Sequence, residues 1–275
     1  MKRDLPTGQT LAFERYGSPE ATPVVLIHAL SANRQVYGLL IEDLDESIRA
    51  EDIQLLNVDL RGHGESSHAT PESYDAVSYA ADVAALVDIE LGRPAAIVSE
   101  SLGGLVGVAL AARRPDLLRG LFLEDPPLFL DDEARREASP ISSYFPEMIA
   151  GVRLLQARNA SPAEYETLMS EVADPDELAA LCVGLSQWDP ETMQAAIDGL
   201  LWKGFDPTPR LKCPLTILAA DPAGGDDVFT AEDAERVLAA NPQAHIEFAP
   251  GASHSVRSTA RDVYLSRLKQ FLRVV

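Results

Sequence analysis

Ile97-Val98-Ser99-Glu100-Ser101-Leu102-Gly103-Gly104-Leu105 runs from an apolar strand-like stretch into a serine and then into a glycine pair that opens a helical stretch. A serine between a buried strand and a helix start stands at the edge of a sheet, on a sharp turn, with the positive end of a helix behind it. Small neighbours are needed for such a turn, and Ser99, Gly103 and Gly104 are small. Taken alone, Ser101 also has the chemistry of an ordinary helix N-cap.

Working outward, short apolar runs bounded by turn residues recur along the chain: 23–28, 53–59, 95–98, 118–123, 215–219 and 245–248. Continuous apolar runs of this length suit strands covered on both faces, as in a parallel sheet. Helical stretches lie between them. Tyr74 to Leu91 places Val77, Ala81, Ala84, Ala85 and Val87 near one stripe. Thr230-Ala231-Glu232-Asp233 reads as a capped helix start. Tyr264, Leu265, Leu268, Phe271 and Leu272 make a final amphipathic helix. The alternation predicts an α/β fold: a mostly parallel central sheet with helices on both faces. Residues 126–210 break it, with helical segments and no buried strand. Ser161-Pro162-Ala163-Glu164 and Asp174-Pro175-Asp176-Glu177 mark helix starts there. The expected organisation is a core of 1–125 and 211–275 carrying a helical cap of 126–210. Tyr144, Phe145, Trp188 and Trp202 of that insertion are candidates for lining a pocket, although large apolar residues more often serve the core.

The 43 acidic and 23 basic residues of the 275 give a net charge of -20. A field of that sign repels phosphate backbones and anionic lipid, so nucleic-acid and membrane-surface partners are not expected. The first residues lead into no apolar signal-peptide core, and no apolar run is long enough to span a bilayer. Cys182 and Cys213 are too few and too isolated for a disulfide framework or a zinc site, and read as small core residues. A cytoplasmic location is expected, no metal or other cofactor is called for, and a homodimer is left open.

Further motifs surround the serine. Ile27-His28-Ala29-Leu30 follows one predicted strand and Asp59-Leu60-Arg61-Gly62-His63-Gly64-Glu65-Ser66 the next; Gly251-Ala252-Ser253-His254 follows the last. In this order the motifs resemble the α/β-hydrolase superfamily over nearly the whole chain, the insertion excepted. Two positions depart from the pattern: Ser99 replaces the first glycine of Gly-x-Ser-x-Gly, and Ala29 replaces the glycine after His28. The resemblance implies Ser101 as nucleophile, His254 as general base, and an oxyanion hole made by the backbone N–H groups of Leu102 and of Leu30 or Ala29. It places the acid at the end of either of two strands. Asp125 aligns without an insertion and is favoured. Asp226, about 28 positions before His254, and Asp221 are the alternatives. His28 and His63 match positions that shape the site's floor and are read as structural hydrogen bonders. Ala29, Trp188 and Trp202 are the candidate substrate contacts.

A serine at the elbow, rather than aspartate, points to acyl chemistry. The expected reaction is hydrolysis of a small-molecule carboxylic ester or lactone, small to medium in size and apolar, through an acyl-enzyme. An acid after the earlier strand and a long helical cap are similar to lactonases of the superfamily. Carbon–carbon bond hydrolysis, cofactor-free perhydrolysis, acyl transfer and non-catalytic ligand binding are alternatives that the same fold allows.

Overall fold

In the computed structural model, which describes residues 1–139, 142, 144–169, 174–225 and 228–275, all six apolar runs form strands. The sheet comprises β1 (Lys2–Asp4), β2 (Thr10–Tyr16), β3 (Thr22–Ile27), β4 (Ile53–Val58), β5 (Ala95–Glu100), β6 (Leu118–Glu124), β7 (Leu215–Ala219) and β8 (His245–Phe248). Their order is β1-β2-β4-β3-β5-β6-β7-β8. From β4 to β8 every pairing is parallel, while β1 and β2 are antiparallel additions at one edge. The two edge strands carry no continuous apolar run. All three residues of β1 are exposed, and β2 buries only Leu11, Ala12 and Phe13.

The two-residue period of the strands sorts the core into two layers. Val25, Ile27, Ile97, Leu121, Leu123 and Ile217 face one side. Val24, Leu26, Ala96, Val98, Phe122 and Leu218 face the other. The first layer is covered by helices α1 (Ala76–Glu90) and α2 (Leu102–Arg113), the second by the C-terminal helix Arg261–Leu272 through Tyr264, Leu268 and Phe271.

The stripe expected on α1 is rotated. Ala81 is exposed and Val77 only half-buried, whereas Ala76, Tyr79, Ala80, Val83, Leu86 and Val87 face the sheet. A polar residue hides this face from a hydrophobicity pattern: Asp82 is fully buried in a two-pronged pair with Arg61, at 2.6 and 2.7 Å. The start at Thr230 is capped as expected. Its hydroxyl accepts from the Asp233 N–H, and the Asp233 carboxylate accepts from the Thr230 N–H.

Among the described residues, the stretch 126–210 contains helices and turns and no strand. Its longer helices are α3 (Phe145–Ala157), α4 (Leu178–Ser186) and α5 (Glu191–Ile197). Side chains tie it to the core on two sides. Tyr74 donates its hydroxyl to Asp189 at 2.6 Å, and the Asp189 N–H reaches the Gly62 carbonyl at 2.8 Å. On the other side Glu177 pairs with Arg257 at 2.8 Å. Among the described residues, no helix is long and apolar enough to cross a membrane, and Cys182 and Cys213 are free and buried.

Candidate active site

Parallel strands deliver their C-terminal ends to one side of the sheet, and the loops that follow β5, β6 and β8 meet there. Ser101 sits between β5 and α2 with φ 50° and ψ −112°. A non-glycine residue with positive φ is strained, and such strain concentrates at functional turns. The turn closes because Gly103 lies against β3: a Cβ there would stand 2.3 Å from the Ile27 carbonyl oxygen. Ser99 keeps the turn possible without the usual glycine by pointing into the core, where its Oγ is buried with no hydrogen bond among the described residues.

Asp125 follows β6 and is likewise held at positive φ, 36°. It is fully buried, and its carboxylate accepts from the Ala220 N–H (3.3 Å) and the Val228 N–H (3.2 Å) of the loop after β7. The same carboxylate lies 2.6 Å from His254 Nδ1. Burial alone would lower the imidazole pKa. The hydrogen bond and charge of Asp125, with the nearby charges of Glu100 and Glu124, outweigh it and raise the pKa to about 9. With its side chain 33% exposed, His254 opens onto the same cavity as Ser101.

The alternative acids fare differently. Asp221 places its two carboxylate oxygens on the N–H groups of Ala223 and Gly251, at 2.9 and 2.7 Å. It is an exposed turn residue whose pKa those backbone donors lower. The structure therefore pairs Asp125, and not Asp221, with His254. Asp226 lies outside the described residues.

The oxyanion-hole candidates also line the cavity. Leu102 opens α2, so its N–H has no partner within the helix. The Leu30 peptide is oriented by His28. His28 Nε2 accepts from the Leu60 N–H at 3.1 Å, which places the imidazole proton on Nδ1, and Nδ1–H donates to the Ala29 carbonyl at 2.7 Å. That carbonyl belongs to the peptide whose N–H is Leu30's, and a trans peptide directs the two oppositely. Burial, followed by the neighbouring His63, holds His28 well below its usual pKa, so it stays neutral. His63 is also buried, facing the carbonyls of Arg61 (2.8 Å) and Leu30 (2.7 Å), with its pKa pulled down by burial to about 4. Both histidines are structural hydrogen bonders, as expected.

The cavity holds about 470 Å3. Pro127, Tyr144, Phe145, Met148, Leu201 and Trp202 give it apolar walls. Trp202 is fixed by donating Nε1–H to the Pro127 carbonyl at 2.9 Å. Ala29 is on the wall, but Trp188 is not. Trp188 is fully buried in the packing of the insertion, with its carbonyl accepting from Gln156. Both tryptophans are large and apolar in sequence, and only the tertiary packing separates them. Sequence reasoning also missed a polar wall containing Glu100, Glu177 and Arg257. Among the described residues no group of His, Cys, Asp or Glu is placed to hold a metal ion.

Comparison with known proteins agrees with this geometry. The lipase LipV of Mycobacterium tuberculosis is 36% identical over 127 residues, which is 46% of this chain and 46% of that one. The likeness therefore spans less than half the length of that relative. An sn-1-specific diacylglycerol lipase of Mus musculus is 24% identical over 268 residues, 93% of this chain and 82% of its own. Among solved structures, an aryl esterase from Burkholderia cenocepacia superposes with a TM-score of 0.75 at 22% identity, over 99% of this chain and 97% of the other. The family described as "Alpha/beta hydrolase family" matches residues 24–266, and with the sheet order and the strand–serine–helix turn this places the chain in the α/β-hydrolase family.

Proposed function

We propose that the protein is a serine hydrolase that cleaves a carboxylic ester or lactone through an acyl-enzyme. The observation that carries this reading is the 2.6 Å contact between Asp125 and His254 Nδ1 at the mouth of a cavity that also holds the strained Ser101. In the proposed cycle His254 Nε2 takes the Ser101 hydroxyl proton as Oγ attacks the carbonyl carbon. Asp125 stabilises the resulting imidazolium, and the N–H groups of Leu30 and Leu102 accept the developing oxyanion. The imidazolium then protonates the departing alcohol oxygen. Water, deprotonated by the same imidazole, attacks the acyl-enzyme and returns Ser101.

Residues 126–210 serve in this reading as a cap over the strand ends, and their apolar wall selects the substrate. Lipase and esterase names among the relatives support ester hydrolysis as the reaction. A cavity of about 470 Å3 suits small to medium apolar groups. The test is a fluorophosphonate probe and a panel of esters and lactones of graded size. Wild type should label at Ser101 and turn over at least one neutral ester, and Ser101→Ala should lose about a million-fold in kcat while remaining folded. An inert Ser101 in a protein that still binds apolar ligands tightly would make the chain a binding protein instead.

A further inference from the structure

Glu100 and Glu124 are direct neighbours on β5 and β6, in the last register pair of the two strands. The two-residue period puts both on the second face of the sheet, the side of Phe122 and Tyr264. Both are buried. Like charges directly opposite one another on adjacent strands repel, and burial makes the repulsion worse. The arrangement stands because Arg257 enters between them. Its backbone N–H donates to Glu124 Oε1 at 2.6 Å, and its guanidinium reaches Glu100 Oε2 at 3.2 Å and Glu124 Oε2 at 3.5 Å. The guanidinium also pairs with Glu177 of the insertion at 2.8 Å and lies over the Tyr37 ring at 4.9 Å.

The chain positions of these three residues give the cluster its meaning. Glu100 immediately precedes Ser101, Glu124 immediately precedes Asp125, and Arg257 stands three residues after His254. The segments are stitched further by the Ser101 N–H on the Glu124 carbonyl (2.9 Å) and by Ser255 Oγ on Glu100 (3.2 Å). We propose that Arg257 is a positioning residue of the triad, its guanidinium locking the three segments that bear Ser101, Asp125 and His254 in register. The proposal rests on the reading of those three residues as the triad. Burial, opposed by Arg257, raises the Glu124 pKa to about 8, and Glu100 and Glu177 raise it further. Without Arg257 the cluster would hold carboxylates with no cation between them, and the loops above would have to shift to relieve it.

The test uses the rate of Ser101 labelling by a fluorophosphonate, which requires an aligned His254 but no knowledge of the substrate. It is paired with kcat and KM on a neutral short-chain ester. Arg257→Gln should slow labelling and lower kcat by about 10- to 100-fold, the cost of a small misplacement of reacting groups. KM should hold within about twofold, because no substrate contact is invoked. Arg257→Lys should recover only part of the rate, since an ammonium cannot fork between several carboxylates. A second variant separates positioning from stability. Removing all the charges together (Arg257→Met, Glu100→Gln, Glu124→Gln) leaves no unpaired buried ion and should restore the melting temperature. If the cluster positions the triad, that triple variant stays slow. Labelling that recovers along with the melting temperature, or Arg257→Gln at wild-type rate, overturns the proposal. Should Arg257→Gln fail to fold, the triple variant alone decides. A wild-type Ser101 that never labels defeats the hydrolase reading, and this proposal with it.

Discussion

At the scale of single residues, the carboxylate beside His254 is the most informative position. Asp125→Asn keeps the shape of the side chain but removes the charge that fixes the imidazole tautomer. It should lower kcat by about ten-thousand-fold with little change in KM. Asp221→Asn should leave kcat within about twofold of wild type, since its carboxylate serves a turn and not the imidazole. The imidazole also sets a pH dependence. His254 accepts a proton only when neutral, and its pKa lies near 9. On the proposed mechanism kcat/KM should therefore rise about tenfold per pH unit above neutrality and level off near pH 9. A flat profile between pH 7 and 9 would contradict this. Ser101 and His254 were legible in the sequence because their surroundings are local: a strand, a serine and two glycines in one case, a Gly-x-x-His loop in the other. Asp125 remained one of three possibilities because several strand ends carry an aspartate. The Arg257 cluster was invisible, since nothing in a linear reading puts position 100 beside 124 and both beside 257.

At the scale of elements, the parallel strands could be read because burial on both faces writes an unbroken apolar run. The antiparallel edge could not, because β1 and β2 are short of apolar residues and owe their place to pairing with β4 and with each other. The insertion shows the same limit. Its helical character follows from its caps, but which side chains face the cavity depends on how its helices sit on the core. Trp188→Ala and Trp202→Ala therefore make different predictions. Trp188→Ala leaves a void in packed core and should cost about 3–5 kcal/mol of stability, with KM for bulky esters unchanged. Trp202→Ala opens the wall at Pro127 and should change KM for bulky esters more than for acetate esters. Chemical denaturation and steady-state kinetics on the two variants check this. Equal kinetic effects would mean that Trp188 reaches the substrate after all.

For the whole molecule, the proton balance between pH 6 and 9 favours the acid side. His254 has a folded pKa raised from 6.5 to about 9, so the stability it contributes is complete below about pH 6.5 and is lost as the pH rises through 9. Glu124, raised by burial from 4.5 to about 8, acts in the same direction: the folded state holds a proton there that the unfolded chain has already released. Carboxylates with lowered pKa values, such as Asp221 and Glu247, exert their effect below that window. The urea midpoint should therefore be higher at pH 6 than at pH 9, opposite to the trend expected for activity. A midpoint that rises with pH would refute the assignment of these protons.

The insertion leaves the core after β6 and returns at β7, and these two strands are hydrogen-bonded neighbours in the sheet. Its two ends are thus set by the sheet itself, whatever lies between them. Closing a longer loop costs only slowly more, as the logarithm of its length. The segment behaves as an interchangeable cartridge, and transplanting another between residues 126 and 210 should re-aim the enzyme toward new substrates without disturbing the strand ends beneath. Evolution could diversify such a chain by recombination at two adjacent points, leaving the chemistry untouched while the specificity is rewritten.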